Sequence, residues 1–111
     1  MRLYDFEASV ENFLSYLLLE RGLSHNTIAA YRRDLREWGG FCSREGAPPL
    51  PPGQEILSLF QRYLARSEKS AATKQRIIAA LRPWMRYLEQ EGEGGGDVRL
   101  PSLPGRKEGR P

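Results

Sequence analysis

Four prolines fall within five residues near the middle of the chain, in Gly46-Ala47-Pro48-Pro49-Leu50-Pro51-Pro52-Gly53. Proline has no amide hydrogen to donate and pushes the residue before it toward extended backbone, so this stretch cannot be helical and must be a loop. On either side, apolar residues recur at spacings of three and four, the period of a helix that buries one stripe. Two helical segments precede the loop and two follow it, and the expected fold is all-α.

The first segment runs from about Asp5 to Arg21 with Phe6, Val10, Phe13, Leu14, Leu17 and Leu18 on one face, and Gly22 ends it. Ser24 is placed to cap the second helix, its hydroxyl accepting from the amide near Thr27. That helix continues to about Ser43 and carries the stripe Ile28, Tyr31, Leu35, Trp38 and Cys42. Gly39-Gly40 weakens it by roughly 1 kcal/mol per glycine, so fraying or a bend is expected there. A third helix spans about Gln54 to Ala65 and buries Ile56, Leu57, Phe60, Tyr63 and Leu64. Ser70 opens a fourth, reaching about Glu91, with Ile77, Leu81, Trp84, Met85 and Leu88 inward. Pro83 lies inside it, opposite the apolar stripe, and predicts one helix kinked around the core.

After Glu91 the composition changes, and the last 20 residues hold six of the 11 glycines. Leu100 and Leu103 are too little apolar surface to offset the entropy of ordering this stretch. Residues 1–92 therefore read as one helical domain and 93–111 as a disordered linker or flexible C-terminal tail. A linker of this kind implies a further domain attached beyond it, or a free tail.

Several function classes are excluded by what the chain lacks. One cysteine, Cys42, cannot form an internal disulfide, and its place on an apolar stripe favours burial. With one cysteine and one histidine there is no zinc set, the carboxylates show no calcium-loop spacing, and neither metal nor cofactor is expected. No apolar run approaches the ~20 residues that cross a bilayer. No secretory signal core follows Met1, so the expected compartment is the cytoplasm, with no membrane partner.

The second helix separates its residue types by face. His25, Ala29, Arg32, Arg33 and Arg36 cluster away from the apolar stripe, and guanidinium groups interrupted by a small alanine suit a phosphodiester backbone. Charge is uneven along the chain: Arg2 against Asp5, Glu7, Glu11 and Glu20 leaves −3 in residues 1–20. Seven cations against Glu68 and Glu89 leave +5 in residues 62–90. A folded domain with such a gradient has a positive side that can steer an anionic polymer.

Candidate contacts follow from position. Asn26 and Thr27 sit in the first turn of the second helix, where unpaired amides favour a phosphate, and His25 is at most a minor hydrogen-bond donor. Arg32 and Arg36, one turn apart, are expected to follow the groove edge, whereas Arg33 has Glu37 at i+4. On the fourth helix Thr73, Lys74, Gln75 and Arg76 occupy the first two turns and Arg82 lies farther along. Gln75 and Arg76 are of the types that read adenine and guanine edges, and Ala79 leaves room for close approach. The alternative is that these are solvated helix faces or, for Asn26 and Thr27, parts of a helix start.

The chain resembles the N-terminal core-binding domain of tyrosine recombinases of the Xer and phage-integrase type. The matching residues are Phe13, Leu17 and Arg21-Gly22-Leu23, then Ser24-His25-Asn26-Thr27 with Tyr31-Arg32-Arg33-Asp34-Leu35. Farther on, Ser70, Thr73, Arg76, Leu81-Arg82 and Tyr87-Leu88 match the family's fourth helix. The resemblance covers about residues 6 to 92, and Leu100 to Pro104 looks like the interdomain linker. It implies a small four-helix SAM-like orthogonal bundle that lies on one face of double-stranded DNA. The second and fourth helices would meet the duplex, and a C-terminal catalytic domain of the same protein would close on the other face. Other recombinase subunits on the DNA are implied partners. The family's catalytic residues belong to that second domain, so this chain is expected to lack catalysis, and Tyr4, Tyr16, Tyr31, Tyr63 and Tyr87 are read mostly as core. The competing class is a helical protein-interaction module without nucleic-acid binding, which would respond little to salt.

Overall fold

The computed structural model describes residues 3–96 and 98–100, with side chains from Asp5 onward. Four α-helices form the fold: α1 (Leu3–Leu19), α2 (His25–Glu45), α3 (Gln54–Arg66) and α4 (Ala71–Gln90). Among the described residues there is no strand, and the all-α four-helix architecture is the one the periodicity predicts. No helix among them is long and apolar enough to cross a membrane.

The second helix is the hub, packing against α1, α3 and α4. Its stripe makes this possible: Ile28, Leu35, Trp38 and Cys42 are buried and Tyr31 is half-buried. Burial pushes the Cys42 thiol up to about 12. Aromatic rings join the helices on two sides of this hub. Phe13 of α1 meets Tyr31 of α2 edge-on at 5.9 Å and Tyr87 of α4 at 5.3 Å. Trp38 and Phe41 of α2 lie 5.2 and 5.3 Å from Phe60 of α3. On α4, Ile77, Leu81, Trp84 and Leu88 are buried as expected, whereas Met85 is half-buried.

Both serine caps form where the Ser-x-x-Thr spacing places them. Ser24 Oγ accepts from the Thr27 amide at 3.2 Å and Ser70 Oγ from the Thr73 amide at 3.1 Å. The fourth helix runs unbroken through Pro83 and stops at Gly92, whose φ of 74° suits glycine. Gly92 N–H then donates to Glu89 O at 3.1 Å and Glu93 N–H to Leu88 O at 2.7 Å, satisfying the last carbonyls. The proline-rich segment is a loop, tied to α2 by Trp38 Nε1, which donates to Pro49 O at 3.1 Å. The first stretch after α4 lies back on the domain. Gln54 donates to Arg99 O and accepts from Arg99 N–H, both at 2.8 Å, and Val98 and Leu100 pack against the core. Leu103 lies outside the described residues.

The boundaries differ from the sequence reading in two places. The first helix occupies Leu3–Leu19, starting and ending about two residues early. The second passes through Gly39-Gly40 without fraying and extends to Glu45. The reason is packing: a Cβ on Gly39 would stand 2.5 Å from Phe6 Cε2, so the missing side chain is what lets α1 approach α2. Gly40 is different, since a Cβ there would meet Arg44 Nη1 at 3.5 Å.

That contrast yields a paired prediction. Gly39→Ala gains helix propensity of about 1 kcal/mol but forces overpacking of about 1–3 kcal/mol, so Tm falls by several degrees. Gly40→Ala keeps the propensity gain, so Tm rises by about 4–8 °C. Thermal unfolding followed by circular dichroism checks both signs.

Candidate nucleic-acid interface

An acidic residue lies on the buried side of α2. Asp34 is 3% exposed, between Tyr31 and Leu35 on the apolar stripe, and an unpaired carboxylate there would cost several kcal/mol. Its partner is Arg76 in the second turn of α4. Arg76 Nε donates to Asp34 Oδ2 at 2.9 Å and Nη2 to Oδ1 at 2.7 Å, a bidentate pair between the two helices. The bond to Asp34 holds the Arg76 guanidinium above its ordinary pKa, and its side chain remains 45% exposed.

Around this pair the two helices leave a cleft of about 360 Å³. It is lined by Asn26, Thr27, Ala30, Tyr31 and Asp34 of α2 and by Arg76, Ala79 and Ala80 of α4. Three expected contact residues, Asn26, Thr27 and Arg76, thus share one depression, floored by alanines that keep it open. Thr27 is partly used at the helix start, where its hydroxyl accepts from Ser24 Oγ at 3.1 Å. Thr73 does the same with Ser70 at 3.0 Å. His25, the first residue of α2, is exposed.

The other candidates are not gathered there. Arg32 and Arg36 line a separate, smaller depression of about 160 Å³ with Phe6, Glu7, Val10 and Glu11, on the α1 flank of α2. Arg32 is engaged: its Nε and Nη2 donate to Glu11 Oε2 and Oε1 at 3.0 and 2.9 Å. That hydrogen bond, with the charges of Arg32 and Arg36, holds the Glu11 carboxyl below its usual range despite some burial. Lys74 turns back to donate to Ala65 O at 3.0 Å, closing the end of α3. Gln75 is half-buried, and Arg82 is exposed with no ion pair among the described residues.

One expected pairing is replaced by another. Glu37 does not hold Arg33. It accepts from Tyr63 Oη at 2.8 Å and faces Lys69 Nζ at 3.8 Å, both contributed from the α3 side. Arg33 is therefore exposed and makes no ion pair among the described residues, so it joins the candidates. The sequence reading also missed Asp34, although an acid on an apolar stripe between Tyr31 and Trp38 is a signal that a cation must reach it from elsewhere. The described tyrosines pack in or beside the core, the Tyr16 ring lying tilted 5.3 Å from that of Tyr87. Among the described residues no cluster of His, Cys, Asp and Glu could hold a metal ion.

Comparison with known proteins bears on this arrangement. The profile of the phage integrase N-terminal SAM-like domain matches residues 10–92. The chain belongs to that family. It is thus an N-terminal domain of the tyrosine-recombinase type, as the resemblance in the sequence implies. Among similar proteins, a tyrosine recombinase XerD of Listeria monocytogenes serotype 4b is 36% identical over 93 residues, 82% of this chain and 31% of the relative. A XerC of Methylobacterium nodulans is 34% identical over 95 residues, 81% and 30% of the two chains. A XerC of Rhizobium meliloti is 36% identical over 108 residues, 87% and 34%. The chain spans about a third of the length of these curated relatives. No solved structure matches it.

The two bidentate pairs differ in burial, and so in worth. Arg76→Ala strands a buried carboxylate and is expected to cost about 2–3 kcal/mol in urea unfolding at pH 7. Arg32→Ala leaves Glu11 in water and costs less than about 1 kcal/mol. Because the folded-state pKa of Glu11 is depressed, its contribution is complete above the ordinary value and lost as pH falls through the folded one. The small difference between wild type and Arg32→Ala therefore shrinks below about pH 4.5.

Proposed function

We propose that this chain is the duplex-DNA-binding half of a site-specific tyrosine recombinase, resting α2 and α4 on double-stranded DNA. Strand exchange is catalysed by a separate C-terminal domain of the same protein. The observation that carries this reading is the α2–α4 cleft, where Asn26 and Thr27 at one capped helix start meet Arg76 of another. The first-turn amides of α2 not taken by Ser24, those of His25 and Asn26, have no partner within the helix and favour a phosphate. Thr73, Lys74 and Gln75 lie in the first two turns of α4 beside the cleft, with Lys74 turned back to Ala65 O. Ala79 keeps this surface low enough for a backbone to approach, with Arg82 one turn farther on the outward face. Arg33 and Arg36 extend the positive field along α2, with Arg32 held beside them by Glu11. The catalytic domain and neighbouring subunits on the DNA are the partners this reading requires.

Titration of a labelled duplex at several salt concentrations tests it. If four to six phosphates are neutralised, log affinity falls with log salt at a slope of about −4 to −5. Arg33→Ala and Arg82→Ala, which break no ion pair within the described residues, each flatten that slope by about 1. Affinity for duplex that is absent, or that does not change with salt, overturns the proposal in favour of a protein-interaction module.

A further inference from the structure

The Asp34–Arg76 pair does more than join two helices. An arginine carries five N–H donors in a fixed fork, and Asp34 uses two of them, one on Nε and one on Nη2. Three donors point away from Asp34. They belong to a guanidinium whose plane is set by a carboxylate that is itself 3% exposed and so has little freedom to move. Arg76 also lines the α2–α4 cleft and keeps 45% of its side-chain surface open to it and to solvent.

Charge decides what such a fork can recognise. The buried carboxylate lies 2.7 Å from the guanidinium, so from outside the pair is close to neutral and adds little to the attraction for a phosphate. The direction of the donors survives this neutralisation. A neutral, rigid pair of parallel donors is poorly suited to holding an anion and well suited to two neutral acceptors side by side. On a duplex that pattern is the O6 and N7 edge of guanine in the major groove. We infer that Asp34 is a positioning residue that turns Arg76 into a guanine-reading fork in the α2–α4 cleft, contributing base discrimination and almost no salt dependence. This rests on the duplex-binding reading above and gives one residue of that surface a role distinct from Arg33 and Arg82.

The test is selection of the full chain on a pool of randomised duplexes, followed by salt titration of the enriched sequence. Wild type is expected to enrich a guanine at one position. Arg76→Lys keeps a cation against Asp34 and so preserves the fold, checked by an unfolding midpoint close to wild type. It lacks the fork and is expected to lose roughly tenfold or more in preference for that guanine, with its salt slope unchanged. Asp34→Asn removes the buried charge and is expected to lose the same preference. Its salt slope steepens by about 1, because Arg76 becomes a net cation. A guanine preference that persists in Arg76→Lys, or the absence of any enriched guanine in wild type, overturns the inference. So does a salt slope in Asp34→Asn equal to that of wild type, which marks an Arg76 that already acts as a net cation. If wild type binds no duplex at all, the broader proposal fails first.

Discussion

The carboxylate of Asp34 sits where the surrounding helix face buries Tyr31, Leu35 and Trp38. Folding α2 onto the core removes this group from water, and several kcal/mol are lost unless a cation arrives with the right geometry. The cation that arrives comes from 42 residues away, on α4. A bidentate pair is demanding in angle as well as distance, so it fixes both the rotation of α4 about its axis and its position along α2. Slipping α4 by one turn would set the carboxylate against Ala79 or Ala80 in one direction and Ala72 or Thr73 in the other, none of which carries a cation. A buried ion pair is weak evidence for stability but a good device for register, and register is what a surface assembled from two helices requires.

Once α4 is held, the remaining architecture follows from α2 being the hub. Its stripe must serve three neighbours, and the aromatic residues divide the work. Tyr31 faces Phe13 of α1, while Trp38 and Phe41 face Phe60 of α3. Trp38 further ties down the proline loop through Pro49. Gly39 leaves room for the Phe6 ring, so that α1 can close in. A helix crowded on three sides has a narrow free face, and for that reason its basic residues are parted. Arg32 and Arg36 fall on the α1 flank beside Glu7 and Glu11, Arg33 faces outward, and Asn26 and Thr27 fall on the α4 flank.

How much of this was legible in the sequence depended on range. Helix existence and the stripes of α2 and α4 are encoded at spacings of three and four, and the caps at Ser24 and Ser70 at a spacing of three; both were read directly. Interactions set by tertiary approach were not. Arg33 and Glu37 are neighbours on one helix turn, yet Glu37 is taken by Tyr63, 26 residues on, because α3 brings a hydroxyl within 2.8 Å. Gly39 looked like a weak point because propensity is a local quantity, while the reason for a glycine there is the Phe6 ring of another helix. Likewise Gln54 gives no local sign that it will hold the backbone of Arg99, 45 residues later.

The same range effect changes how charge should be counted. A tally of arginines treats every guanidinium as available to a polyanion, but Arg76 and Arg32 are each within 3 Å of a carboxylate oxygen. Such groups contribute little to the field at a distance while keeping their donor geometry at contact. Cations with no salt bridge among the described residues, Arg33, Arg36 and Arg82 among them, do the reverse, since exposed side chains carry charge without fixed direction. On the proposed duplex-binding reading, the domain separates attraction from recognition by burying one acid under one arginine and leaving other cations in water. Net charge alone, at +3, reveals neither.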